Sequence, residues 1–179
     1  MKKKKKLKKG ILFWITGLSG SGKTTLAKKI FPIIKKKYGP TIHLDGDMCR
    51  KIMNLKGFSF KERLSNAMIY SKISKVLTNQ NVNVIFSLVG LMHKPRDWNK
   101  KNIPNYIEIY IKSEIKKIIL RKKKKIYKNT KNLVGINIKA EFPKNPDIVL
   151  ENNINHSLDK LSKDLLKKIS NIVRVKKIN

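Results

Sequence analysis

Acidic residues are scarce in this sequence. Asp and Glu number 11 against 43 Lys and Arg among 179 residues, so the formal net charge is +32. Arginine is scarce as well. It occurs only at Arg50, Arg63, Arg96, Arg121 and Arg174, and nearly all the positive charge is lysine. That lack argues against a dedicated nucleic-acid binder, which favours Arg for bidentate contacts to phosphate and guanine. Such a protein also gathers its charge on one face, whereas Lys here is spread along the whole chain. Lys, Asn and Ile are the residues of A/T-rich codons, so base composition accounts for most of the bias. A general attraction for polyanions, nucleotides among them, is left over.

Cysteine occurs once, at Cys49. This excludes an internal disulfide and fits a reducing, cytoplasmic setting. The three histidines, His43, His93 and His156, lack metal-ligand spacing, and with one Cys no zinc site can be read. No apolar run reaches the roughly 18–20 residues of a membrane-spanning helix, so no membrane partner is expected. The Lys-rich start followed by the apolar residues 11–15 superficially resembles a secretory leader, but the apolar run is too short and a Gly-rich segment follows. Residues 1–9 repel one another and have nothing to pack, which predicts a disordered basic arm. Residues 10–179 are expected to form one domain, since hydrophobic residues at 40% suffice for a core.

The hydrophobic pattern alternates between strand and helix. Residues 11–16 form a continuous apolar run, as a parallel strand covered on both faces requires. Residues 24–37 carry Leu26, Ala27, Ile30 and Ile33/Ile34 at helical spacing, and Tyr38-Gly39-Pro40 stops them. A short strand is predicted at 41–44. Ser59 and Glu62 form a capping-box pattern opening a helix to about residue 78. Residues 82–89 read as a strand followed by a loop containing Pro95. Residues 106–111 read as another strand, giving way at Ser113 to a helix reaching about residue 125. A last strand is predicted at 147–150. Leu158, Leu161, Leu165, Ile169 and Ile172 mark a C-terminal amphipathic helix. The alternation predicts a three-layer α/β domain with a mainly parallel sheet.

Between the first strand and the first helix stands Gly17-Leu18-Ser19-Gly20-Ser21-Gly22-Lys23-Thr24, which fits G-x-x-x-x-G-K-[ST] at every defined position. Glycines let successive backbone N–H groups curl around phosphate oxygens, and the helix start adds its dipole and free donors. Lys23 would bridge the β- and γ-phosphates and the Thr24 hydroxyl would bind Mg²⁺, so ATP and Mg²⁺ are the expected cofactors. The fold class is then a P-loop nucleoside-triphosphate hydrolase fold. A second constellation, Leu44-Asp45-Gly46-Asp47-Met48-Cys49-Arg50, falls at the end of the second strand, where open α/β sheets bind ligands. Carboxylates there can hold Mg²⁺ or accept a proton from an attacking hydroxyl, and Arg50 can bind an anionic acceptor. No guanine-reading Asn-Lys-x-Asp motif is present.

These residues, with Thr25-Leu26-Ala27 after the loop and Phe13-Trp14 ahead of it, resemble the start of adenylylsulfate kinases (APS kinases). Gly57-Phe58-Ser59 with Arg63 and Asn66 resembles that family's third motif. The likeness continues through Glu108-Ile109-Tyr110-Ile111, Arg121, Lys124, Ile126-Tyr127, Asn132, Gly135-Ile136 and Pro143-Lys144-Asn145-Pro146-Asp147, over about residues 11–150. The resemblance implies a kinase that moves the γ-phosphate of ATP to the 3′-hydroxyl of adenylyl sulfate, giving PAPS for sulfate assimilation, and a homodimer. It implies nucleotide contacts from Gly17, Leu18, Ser19, Gly20, Ser21, Gly22, Lys23, Thr24, Thr25 and Arg121. It also implies chemistry at Asp45 and Asp47, with Asp45 as base. Acceptor contacts are implied for Asp47, Arg50, Phe58, Arg63 and Asn66, and for Lys124 and Leu133 within a lid at about 124–135.

The sequence departs from that pattern in several places. Ser87-Leu88-Val89-Gly90-Leu91 stands where Ile-Ser-Pro is usual. Ala67-Met68-Ile69 replaces an Arg pair, and Lys122-Lys123-Lys124-Lys125 replaces Asp-Pro-Lys-Gly. The lid is shorter, and Leu133 occupies its aromatic position. Arg96-Asp97-Trp98-Asn99, with Asn102-Ile103-Pro104-Asn105-Tyr106 and Asn132-Leu133-Val134-Gly135-Ile136, is similar to a side branch that includes kinases of cytidine diphosphoramidate in bacterial capsule synthesis. Phe58 reads equally as core or as a stacking partner for the acceptor base. His43 reads as a strand residue, and Trp14 and Trp98 as core or hinge aromatics.

Overall fold

Strand β1, Leu12–Gly17, is buried at all six positions, which is why its sequence shows no polar alternation. In the computed structural model, which describes residues 9–120, 132–152, 157–176 and 178, β1 lies at the centre of a five-stranded sheet. The other strands are β2 (Thr41–Asp45), β3 (Asn83–Ser87), β4 (Tyr106–Lys112) and β5 (Ile148–Glu151). Their order is β2-β3-β1-β4-β5, and every pairing is parallel.

The helices are α1 (Lys23–Tyr38), α2 (Gly46–Ile52), α3 (Phe60–Asn79), α4 (His93–Asn102), α5 (Ile115–Leu120) and α6 (Leu158–Val175). The apolar stripes of α1 and α6 cover one face of the sheet. There Ile30, Ile34, Leu165 and Ile169 pack on Phe13, Ile15, Ile107 and Ile109. Each such fully buried side chain contributes roughly 1.5–3 kcal/mol. The opposite face carries Leu12, Trp14, Val84 and Phe86 against Ala67 and Tyr70 of α3, with the Tyr70 ring stacked 5.0 Å from that of Phe86. The result is the three-layer α/β P-loop arrangement expected from the alternation.

Local signals set several boundaries. The Ser59 hydroxyl accepts from the Glu62 amide and the Glu62 carboxylate accepts from the Ser59 amide, so both halves of the capping box are made. Two helices differ from expectation. The segment with Pro95 is α4 rather than a loop. Pro95 is its third residue, where a backbone N–H has no partner inside the helix, so the proline does not stop it. Residues 46–52, for which no helix is expected, form α2 because Asp45 caps its start. β3 ends at Ser87, before the apolar run does. Residues 1–8 of the expected arm, Arg121, Lys124 and most of the expected lid lie outside the described residues. No helix among the described residues is long and apolar enough to cross a membrane.

Candidate active site

The carboxyl ends of β1, β2 and β3 open into one cavity of about 240 Å³. The loop after β1 forms its floor. A Cβ on Gly17 would come within 2.6 Å of the Ile111 carbonyl oxygen, so the backbones of β1 and β4 approach too closely for a side chain. Gly22, the residue before α1, has φ +92, and a Cβ there would meet the Asn152 amide at 2.9 Å. That amide donates to the Ser21 carbonyl at 2.7 Å, so the end of β5 braces the loop from outside. Lys23 is buried to 7% exposure at the first position of α1, and its ammonium donates to the Leu18 carbonyl at 2.7 Å.

Asp45 links the loop to the second strand. Its Oδ2 accepts from the Thr24 hydroxyl at 2.6 Å and from the Ser87 hydroxyl at 2.9 Å. Its Oδ1 caps α2 by accepting from the amides of Asp47 and Met48 at 3.0 and 3.4 Å. Burial pushes this carboxyl's pKa up, but the four hydrogen bonds together outweigh burial and hold it below the ordinary value. His43 Nε2 lies 3.0 Å from the Ser87 hydroxyl. Asp47 is exposed at the cavity, and its carboxylate makes no hydrogen bond among the described residues. The Tyr70 hydroxyl donates to the Gly46 carbonyl at 3.2 Å, and burial pushes its pKa up to about 12, so it stays protonated.

The far rim is cationic. Arg50 donates to the Gly57 carbonyl at 2.5 Å, and Arg63 donates to the carbonyls of Phe58 and Asn132 at 2.8 and 2.9 Å. Both guanidiniums lie over the Phe58 ring, 4.5 and 5.2 Å from its centroid. Asn66 is buried to 6% exposure with its Nδ2 unpaired among the described residues.

Of the candidate residues, Ser19, Gly20, Gly22, Lys23, Thr24, Thr25, Asp45, Asp47, Arg50, Arg63 and Asn66 line this cavity together. Gly17, Leu18 and Ser21 belong to the same loop but do not line the cavity. Two acceptor candidates do not line it. Phe58 is 49% exposed on the rim, and Leu133 is buried at 5% while its neighbour Val134 faces the cavity. Residues not singled out beforehand also line it, among them Tyr70, Ser87 and Met92. The sequence signals for Ser87 are its position toward a strand's carboxyl end and at the start of the segment that stands where Ile-Ser-Pro is usual.

Among the described residues no cluster of three or more His, Cys, Asp or Glu could hold a metal by itself. Thr24 Oγ1 and Asp45 Oδ2 offer two hard oxygens beside the buried Lys23. That set suits Mg²⁺, which takes one or two protein oxygens and completes its shell with phosphates and water.

The model of the family described as "Adenylylsulphate kinase" matches residues 9–151. The cytidine diphosphoramidate kinase of Campylobacter jejuni is 32% identical over 164 residues, covering 89% of this chain and 96% of its own. A probable adenylyl-sulfate kinase of Aeropyrum pernix is 34% identical over 169 residues, covering 87% and 92%. Among solved structures, the Mycobacterium tuberculosis APS kinase in complex with AMPPNP and APS superposes with a TM-score of 0.79. It is 25% identical, with 92% of this chain and 99% of that one covered.

Proposed function

The chain belongs to the adenylylsulphate kinase family, and on that premise we propose that it transfers the γ-phosphoryl group of ATP to the 3′-hydroxyl of adenylyl sulfate, giving PAPS for sulfate assimilation. One observation carries this reading. A single cavity is lined together by the phosphate-binding loop, by Asp45 and Asp47, and by Arg50 and Arg63. Two anionic substrates can meet there with a carboxylate at the point of attack.

The loop amides and Lys23 hold the β- and γ-phosphates of ATP, with Lys23 turning from the Leu18 carbonyl to phosphate oxygen. Thr24 would hold Mg²⁺ together with the phosphates, and the ion would supply charge neutralisation for the transferring group. Asp45 keeps the Thr24 hydroxyl aimed. Family resemblance assigns Asp45 as base, yet its four hydrogen bonds use its acceptor positions. Asp47, with its carboxylate open to the cavity, is better suited to take the proton of the attacking hydroxyl. Arg50 and Arg63 bind the acceptor's anionic group, the Asn66 amide supplies a donor, and Phe58 offers a ring for stacking. Family resemblance also supports a homodimer, and the single reduced cysteine supports a cytoplasmic enzyme.

A second reading is kinase activity on cytidine diphosphoramidate. Two observations favour it: the Campylobacter jejuni relative matches over 96% of its length, and Leu133, at the lid's aromatic position, is buried and does not line the cavity. The test is turnover with ATP and Mg²⁺ against a panel of adenylyl sulfate, cytidine diphosphoramidate and nucleoside monophosphates. Adenylyl sulfate as the preferred acceptor supports the first reading. Turnover of cytidine diphosphoramidate alone replaces it with the second. ATP consumption driven by added RNA or DNA defeats both.

A further inference from the structure

Arg96 is an arginine in a lysine-rich chain, and it is 3% exposed. Its guanidinium is used in three directions. Nε pairs with the Glu108 carboxylate of β4 at 3.0 Å, Nη1 donates to the Gly90 carbonyl at 3.3 Å, and Nη2 lies 2.9 Å from His93 Nδ1. A buried ion pair is a poor way to stabilise a core, because packed apolar side chains of similar volume do as well or better. Stability alone therefore does not explain the pair.

The segment it reaches does. Residues 88–92 follow β3, and Leu88, Val89, Gly90 and Met92 form a wall of the cavity. This wall is tied down at both sides of Gly90. The Val89 carbonyl accepts from the Thr16 hydroxyl at 2.5 Å and from the Gly17 amide at 3.4 Å, which ties it to the strand entering the phosphate loop. The Leu91 carbonyl accepts from the Glu141 amide at 2.9 Å, and the Glu141 carboxylate accepts from the His93 amide at 2.6 Å. Between these ties Gly90 has φ +43, and a Cβ there would meet the Leu88 side chain at 3.0 Å and the Thr16 hydroxyl at 3.3 Å. Its carbonyl is held by Arg96.

We propose that Arg96 is a positioning residue for the acceptor side of the cavity, holding the wall at Gly90 while Glu108 holds Arg96. The inference rests on the placement of the acceptor beyond Asp45 given under the proposed function. A planar fork can serve Glu108 and Gly90 together, whereas the point charge of a lysine cannot. Without the hook the wall keeps its ties at Val89 and Leu91 and loses its shape between them. The phosphate loop keeps its own brace at Asn152.

Arg96→Met alone strands the Glu108 carboxylate in the core and risks misfolding. The informative protein is therefore the full chain carrying Arg96→Met with Glu108→Leu, which keeps the volume apolar and removes the hook, together with Arg96→Lys, which keeps the charge pair. The measurements are thermal unfolding, hydrogen exchange of residues 88–92 and 17–24, and KM for ATP and for the acceptor. Expected are a melting temperature near wild type for the paired variant and about tenfold faster exchange confined to 88–92. Acceptor KM should rise by about tenfold, the size of one charge-assisted hydrogen bond, with ATP KM unchanged. Arg96→Lys should share the acceptor defect. Wild-type exchange and acceptor KM in the paired variant would overturn the proposal, as would equal losses for both substrates. If the wild-type chain turns over neither acceptor, the functional reading fails, and the exchange experiment still decides whether Arg96 holds the wall.

Discussion

Replacing Asp45 by Asn keeps the side chain's shape and removes its charge. If Oδ1 continues to cap α2, the new amide nitrogen faces the hydroxyls of Thr24 and Ser87, which now donate to Oδ2 at 2.6 and 2.9 Å. Both must turn round, and these two bonds, like the two cap bonds that remain on Oδ1, become neutral ones. A bond to a charged group contributes about 1.5–3 kcal/mol and a neutral one about 0.5–1.5, so the pair loses roughly 2 kcal/mol. For a chain of this length that lowers Tm by about 4–8 °C. The deficit is pH-dependent. Because the folded pKa of Asp45 lies below its ordinary value, its stabilisation is present above the ordinary pKa and is lost as pH falls through the folded one. Wild type and variant should therefore converge in acid. Asp47→Asn gives the contrast. That side chain is exposed and unbonded among the described residues, so stability should stay within about 0.5 kcal/mol of wild type. Loss of a general base should nonetheless lower kcat by about two to four orders of magnitude. Calorimetry across pH 2–7 (about the range needed to see convergence) and steady-state kinetics read both effects. An Asp45→Asn protein with unchanged Tm would refute the hydrogen-bond account, and an Asp47→Asn protein with near-normal kcat would refute the assignment of the base.

Lys23→Ala should cut kcat by roughly two or more orders of magnitude with the fold intact by circular dichroism, because positioned charge supplies most of the catalysis in phosphoryl transfer. Near-normal turnover would remove the phosphate-loop assignment. Arg63→Ala should depress kcat/KM for the acceptor by about 1–3 kcal/mol with little change for ATP, and the opposite pattern would reverse the placement of the two substrates. Burial raises the pKa of Glu108 to about 7 against the attraction of Arg96. A raised folded pKa means that its contribution to stability is present below the ordinary pKa and declines as pH rises through about 7. Urea unfolding should show wild-type stability falling over that window and Glu108→Gln removing that part of the slope, and identical slopes would sink the idea.

The phosphate loop, the central strand β1 and the start of α3 were legible because each is dictated by neighbours in the chain. Gly17 to Thr24 carry their own turn chemistry and helix start, six apolar residues in a row require two covered faces, and Ser59 and Glu62 satisfy each other's amides. The family resemblance extended that reading to Arg50, Arg63 and Asn66, which do line the cavity. Other features depend on partners far away in sequence. Asp45 is held by Ser87, 42 residues on, because β2 and β3 pair in a register that sets Asp45 beside it. The loop is braced by Asn152, 131 residues from Ser21. Pro95 sits in a helix because α4 begins at His93, which leaves the proline in the first turn, and α2 exists because Asp45, the last residue of β2, caps its start. Leu133 occupies the lid position expected of an acceptor contact and is buried instead, since an apolar side chain follows the available packing. Local covalent geometry and hydrophobic period act within a few residues and are written in the chain. Sheet register, long-range hydrogen bonds and the direction a buried side chain takes are set only when distant strands meet.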